Sequence, residues 1–177
     1  MANWCTGELK IRGNKEDIKS FIINQCTIIN DKGIEEPLKI EKDTETSLWL
    51  NKEQMIYYVE YTEKNLREEV LKDLYVKNSN RMFLSLDMEL IEFCVEDTEG
   101  NNIISLGCRQ AWDIDIDLLA ELSVKYNLDF KMFAFEPGGC FNRDIEIIDG
   151  EIITDNVIEY DNYSDYVWNS QCTTIGG

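Results

Sequence analysis

Carboxylates dominate the side chains in this sequence that could do chemistry: 35 Asp and Glu stand against 17 Lys and Arg, with no histidine and a formal net charge of -18. Without histidine, Ser-His-Asp and Cys-His catalysis and histidine-based zinc hydrolysis are excluded. Two carboxylates can still work alone, as in glycoside hydrolysis. Glu136 and Asp144 flank the Pro137-Gly138-Gly139 turn and are placed to face each other across a hairpin. With so many carboxylates, chance alone supplies such a pair. Cys140 is the most exposed-looking thiol, but no base stands near it in sequence, and a buried or incidental cysteine is the favoured reading.

Asp113-x-Asp115-x-Asp117 superficially resembles a calcium loop. The loop requires Gly at its sixth position and Glu at its twelfth, where this chain has Leu118 and Val124. Helix capping plus an acidic surface explains the three aspartates better. Cys5, Cys26, Cys94, Cys108, Cys140 and Cys172 are widely spaced and form no Cys-x-x-Cys pair, so zinc is not expected, and several lie beside apolar neighbours and read as small core residues. Gly138-Gly139 has no downstream Gly-Lys-Ser/Thr to cradle a phosphate. No cofactor and no metal is expected.

The charge is graded along the chain. Residues 1–42 hold seven acids and seven bases, residues 43–110 fourteen and seven, and residues 111–177 fourteen and three. A surface of this kind repels nucleic acid and anionic membranes and attracts basic proteins. Acidity also serves solubility without any partner. The nearest thing to a basic patch, Lys10, Arg12, Lys15 and Lys19, is diluted by Glu8, Glu16 and Asp17, so direct nucleic-acid binding is not expected. No apolar run approaches the roughly 20 residues that span a bilayer. Met1–Thr6 lacks the pattern of a secretion signal. A soluble cytoplasmic protein is the expectation.

The elements that must position these residues follow from periodicity. Leu9–Ile11 reads as a strand. Gly13 or Asn14 caps a helix with Ile18, Phe21, Ile22 and Gln25 on one face. Residues 35–45 read as an irregular connection, Thr46–Leu50 and Met55–Tyr61 as strands, and residues 63–75 as a helix striped by Leu66, Val70, Leu71 and Leu74. Met82–Leu86 reads as a strand, and Leu90–Glu96 and Ile103–Cys108 flank a turn at 97–102. Asp115 or Asp117 caps a helix that buries Leu118, Leu119, Leu122 and Tyr126 and ends at Asn127. Phe130–Phe135, Phe141–Ile148 and Glu151–Tyr160 then read as strands, the last two joined at Asp149-Gly150. The pattern predicts an α+β domain over 1–160, with a largely antiparallel sheet and helices on one side, and 35–100 as a candidate insertion. Residues 161–177 read as a loose acidic and aromatic tail, with Tyr163, Tyr166 and Trp168 able to pin it to the body.

Asn3-Trp4-Cys5-Thr6, Leu9-Lys10-Ile11-Arg12-Gly13, Ala111-Trp112, Lys125-Tyr126, Phe135-Glu136-Pro137-Gly138, Phe141 and Asp149-Gly150 together resemble the YubB-like family of phage and plasmid proteins. The chain departs from that pattern at Gly7, where the family has asparagine. It departs again at Asp113-Ile114-Asp115, where the family has Pro-Pro after the tryptophan, and at Asn142, where it tends to have glycine. The match covers the N-terminus and residues 107–151. It implies a ferredoxin-like fold and an origin on a mobile element. It implies no activity, since the family has none established.

Strand geometry sets carboxylates at i and i+2 about 6.6 Å apart on one face, close to two base-pair rises, so a row of them approximates a phosphate row. Asp144, Glu146, Glu151 and Asp155 across the Asp-Gly hairpin form such a row, extended by Glu159, Asp161 and Asp165. Ile145, Ile147, Ile152, Ile153 and Val157 supply its apolar side, although Ile147-Ile148 and Ile152-Ile153 break the alternation. Asp113, Asp115, Asp117 and Glu121 make a second cluster beside Trp112. The expected role is a non-enzymatic inhibitor, a DNA mimic of anti-CRISPR or anti-restriction type. It would occupy the basic groove of a nucleic-acid-binding host defence protein such as a nuclease or CRISPR effector. Salt should weaken the complex, and charge reversal at Asp144 and Glu146 should weaken it without unfolding the chain. Two alternatives stand beside it: an accessory interaction module whose acidity serves solubility, and a carboxylate- or cysteine-dependent enzyme. A homo-oligomer stays open, because the tail aromatics suit a dimer as well as an internal clasp.

Overall fold

The computed structural model describes residues 3–30, 32–61 and 66–170. It opens with β1 (Trp4–Gly13), α1 (Lys15–Gln25) and β2 (Cys26–Ile29). Short elements follow: β3 (Glu35–Pro37), β4 (Ile40–Asp43), β5 (Ser47–Leu50), α2 (Lys52–Met55), β6 (Ile56–Tyr61), β7 (Leu66–Leu71), β8 (Leu74–Val76), β9 (Met82–Ser85) and β10 (Leu90–Glu92). Longer ones close the chain: β11 (Asn102–Ala111), α3 (Ile116–Tyr126), β12 (Asp129–Glu136), β13 (Phe141–Ile148), β14 (Glu151–Glu159) and α4 (Tyr163–Asn169).

Nine strands form one sheet in the order β14-β13-β12-β1-β11-β9-β8-β2-β3, and each described pairing is antiparallel. Strand β1 pairs with β11 from Trp4↔Ala111 to Gly13↔Asn102 and with β12 from Thr6↔Phe135 to Arg12↔Asp129. Both long helices are therefore crossovers between strands that run the same way: α1 links β1 to β2, and α3 links β11 to β12 across β1. The architecture is α+β, with a largely antiparallel sheet and a few helices alongside it. Residues 35–100 contribute β3, β8 and β9 to this sheet, and Leu38, Leu48, Leu50, Met55, Ile91 and Phe93 join the same core as the rest.

The helices start where side chains can satisfy free backbone amides. Asn14 accepts from the Asp17 amide and Asp115 from the Leu118 amide. Asn127 ends α3 in the left-handed conformation at φ 53°. Phe21 of α1 meets the edges of Tyr126 of α3 and Phe130 of β12, with ring centroids 5.7 and 5.8 Å apart. Beneath them, Leu9, Ile11, Leu106, Cys108, Met132, Ala134, Ile145 and Ile147 line one face of the sheet and are buried. The other face is open: Lys10, Ser105 and Lys131 are exposed there, and Arg109 lies 5.1 Å from the ring centres of both Trp4 and Phe83. Gly7 of β1 lies opposite Ala134 of β12. A Cβ there would collide with the Phe133 carbonyl, so glycine fits this position and a larger residue would force the strands to shift.

Several expectations are corrected. Residues 66–71 and 74–75 pair in strands β7 and β8 instead of continuing a helix, and 63–65 of that expected helix lie outside the described residues. Segment 35–45 carries β3 and β4 instead of irregular chain. The tail forms α4, started by Asn162 and pinned by buried Tyr166, whose ring meets Tyr160 edge-on at 5.2 Å; residues 171–177 lie outside the described set. Ser170, just past α4, bonds Asn142, which pairs with Phe135 of the open face, so α4 does not join the layer of α1 and α3. Ile152, Ile153 and Val157 do not face the core. They are exposed, because β14 is the edge strand and has a neighbouring strand on one side only.

Truncating the residue at the centre of the helix-sheet junction tests this packing. Phe21→Ala should lower unfolding free energy by about 3–5 kcal/mol in urea titration, with the m-value unchanged. A loss below about 1 kcal/mol would mean that Phe21 does not join α1, α3 and β12.

Candidate acidic interface

Strand β13 alternates Phe141, Arg143, Ile145 and Ile147 on its helix-side face, so a guanidinium stands among apolar positions. Arg143 is only 7% exposed. Such a group needs partners for its donors, and the chain supplies two. Nε and Nη2 donate to Asp155 Oδ1 at 3.1 and 2.5 Å, and Nη1 donates to Asp113. Burial opposes charge on Arg143, but Asp155 and Asp113 outweigh it and hold its pKa above the ordinary arginine value.

This clamp joins the two acidic clusters. Asp113 belongs to the loop before α3 and Asp155 to β14, and α3 lies over β13 and β14. At the far end of the helix, the Gly150 amide donates to Ser123 Oγ at 2.8 Å, and Ser123 Oγ donates to the Leu128 carbonyl at 2.5 Å. Asp149 and Gly150 both have positive φ, 50° and 77°, as a two-residue hairpin turn requires. A Cβ on Gly150 would strike Val124. The helix is thus fixed along the hairpin at both ends. Its exposed Asp117 and Glu121 share a face at i,i+4 spacing with each other, and Val124, the residue against the turn, follows Glu121 at i,i+3.

Other members of the expected row fall elsewhere. Register pairs Ile145 with Asp155, Arg143 with Val157 and Phe141 with Glu159, which puts Asp155 and Glu159 on the helix side. Asp144, Glu146 and Glu151 take the opposite parity, on the open face, where Glu146 accepts from Lys131 at 3.0 Å. The single row is therefore split between two faces, divided by the pleat. Asp115 is half-buried and engaged as the α3 cap. Asp165 accepts from the Asp161 amide at 3.3 Å, so these two order the entry to α4. On the helix side stand Asp113 and Asp155, joined through Arg143, together with exposed Asp117 and Glu121 of α3 and exposed Glu159 of β14. Arg143 is the residue that sequence reasoning missed. Its signal was a charged side chain at an apolar position of an alternating strand.

The carboxylate pair proposed for catalysis does not form. Glu136 pairs with Phe141 on the helix side, is 2% exposed and accepts from the Gly139 amide, whereas Asp144 pairs with Phe133 on the open face. No group of three or more Cys, Asp or Glu able to hold a metal occurs among the described residues. No helix among them is long and apolar enough to cross a membrane. Cys5, Cys26 and Cys108 are buried, Cys94 is exposed and Cys140 is half-buried; Cys172 lies outside the described residues. Burial pushes the Cys5 thiol up to about 12, with Asp113 and Glu136 adding to the shift, and burial does the same to Cys26 and Cys108, each about 12.

No family model, no curated protein sequence and no solved structure matches the chain.

The thiols give a direct check on the burial assigned here. In a Cys172→Ser background, a thiol reagent should modify Cys94 first and Cys140 more slowly, while Cys5, Cys26 and Cys108 react only on unfolding. Raised folded-state values mean that the thiols' contribution to stability is complete below the ordinary value of 9.0 and is lost as pH climbs from there toward about 12. Chemical denaturation at pH 8, 10 and 11 should show that decline, reduced in a Cys26→Ala chain. Flat stability across this range would contradict the buried, protonated state.

Proposed function

We propose that the chain is a non-enzymatic acidic binding protein that occupies the basic nucleic-acid groove of a host defence protein. The observation that carries this reading is the Arg143 clamp, which joins two carboxylate clusters into one fixed surface. A fixed array holds its charges in place before binding, so little side-chain freedom is lost when Arg and Lys of a partner dock. All three basic residues between 111 and 177 are already engaged: Arg143 with Asp113 and Asp155, Lys131 with Glu146, and Lys125 with Gln25. Asp117, Glu121, Asp144, Glu151 and Glu159 have no basic residue of this half beside them, and Asp117, Glu121, Glu151 and Glu159 are exposed.

The resemblance to the YubB-like family supports a mobile-element origin and hence a defence target. The order β12-β1-β11 with β2 beyond, crossed by α1 and α3, supports the ferredoxin-like reading within that family, with β9 and β8 inserted between β11 and β2. On this account the protein works in the cytoplasm and blocks DNA or RNA access without chemistry.

A nuclease-treated lysate of a host expressing its defence systems, passed over the immobilised chain, tests the proposal. A basic nucleic-acid-binding protein should be retained at low salt, released as ionic strength rises past about 0.15–0.5 M, and displaced by competing DNA or RNA. A retained partner that resists salt and ignores nucleic acid would favour the accessory-module reading, in which an apolar interface carries the contact and acidity serves solubility.

A further inference from the structure

Among the described residues the sheet ends at β14, and no strand pairs with its outer edge. The opposite edge, β3, is three residues long and carries Pro37, two features that discourage strand addition. Strand β14 spans nine residues, Glu151–Glu159, with no proline and no lysine. Its residues 155–159 are all exposed, and Val157 and Ile158 remain 51% and 40% accessible.

The backbone bonding pattern can be followed residue by residue. The Tyr160 amide donates to the Cys140 carbonyl at 2.9 Å, continuing the register that pairs Phe141 with Glu159. Antiparallel pairs alternate between bonded and non-bonded. Asn156 and Ile158 therefore turn their amides and carbonyls toward β13, while Asp155, Val157 and Glu159 turn theirs outward. The bulge between Glu146 and Ile147 disturbs only the hairpin end, leaving 154–159 as a regular stretch.

We infer that this edge accepts an extended segment of a basic partner as a tenth strand, antiparallel to β14. Charge decides the occupant. An added strand meets Asp155 and Glu159 on the helix side, with Val157 between them and Ile158 on the other face. Lys or Arg opposite the two carboxylates, with apolar residues opposite Val157 and Ile158, gives favourable cross-strand pairs throughout. A second copy of this chain, centred on Val157, would put Asp155 opposite Glu159 twice, like charge against like. The preferred partner is therefore a basic and apolar strand of a different protein. This inference rests on the proposed function for the partner's charge and adds to it the way the partner docks.

A blocked peptide, Thr-Lys-Val-Val-Thr-Lys-Thr, tests it against the unaltered, isotope-labelled full chain by NMR titration. A control peptide of equal charge replaces both valines with proline and cannot form the ladder. The first peptide should shift and protect the amides of Asp155, Val157 and Glu159, with affinity at least about tenfold above the control and a comparable loss in a Val157→Pro chain. Equal binding of both peptides, sensitive to salt, would overturn strand addition while leaving the acidic-surface proposal standing. Binding of neither, or concentration-dependent protection of the same amides without peptide, would also overturn it. The lysate experiment would then judge the proposed function alone.

Discussion

Strand β1 has to satisfy neighbours on both sides along most of its length, and the rest of the architecture follows from that demand. Ten residues pair with β11 and seven with β12. Because β1 fills the place between β11 and β12, α3 must cross over it, and α1 must carry the chain to the far side of the sheet. Both helices then cover the face where Leu9 and Ile11 point, and Phe21, Tyr126 and Phe130 close the junction. The glycine at position 7 belongs to the same constraint, since β12 approaches too closely for a side chain.

With α3 set in place, its loop delivers Asp113 to the ladder formed by β12, β13 and β14. There Arg143 finds two carboxylates from segments about 40 residues apart in sequence. The clamp resolves two problems together: a cation at an apolar position, and carboxylates that would otherwise repel. What is left uncompensated, Asp117, Glu121 and Glu159, faces solvent beside an unoccupied sheet edge. Glu159 and the open backbone occur on the same strand, and α3, which carries Asp117 and Glu121, packs on that strand, so binding at β14 is the most economical account of both.

Much of this was legible in the residues. The apolar face of α1, the Asp115 cap, the Asn127 stop, the alternation of Phe130, Met132 and Ala134, and the Asp149-Gly150 turn all follow from local rules, and the structure has them. Leu66, Val70, Leu71 and Leu74 also obeyed a local rule, helical spacing, yet β6 and β9 captured that segment as strands; pairing partners distant in sequence overrode its own preference. Ile152 and Ile153 carried a mixed signal. The doubled apolar residues broke the alternation because a bulge sits there, but nothing local said that β14 would be an edge. The acidic site divided in the same way. Residue spacing located its carboxylates, while their faces depended on register and their linkage on Arg143.

The most direct measurement compares two charge reversals for affinity toward the partner retained at low salt, with circular dichroism confirming that both variants fold. The account predicts that Glu121→Lys with Glu159→Lys weakens the complex at least about tenfold, equivalent to 1.4 kcal/mol. Asp144→Lys with Glu146→Lys, on the other face, should change it much less. Equal affinity for the wild-type chain and the first variant would contradict the claim that the clamped helix-side surface makes the contact.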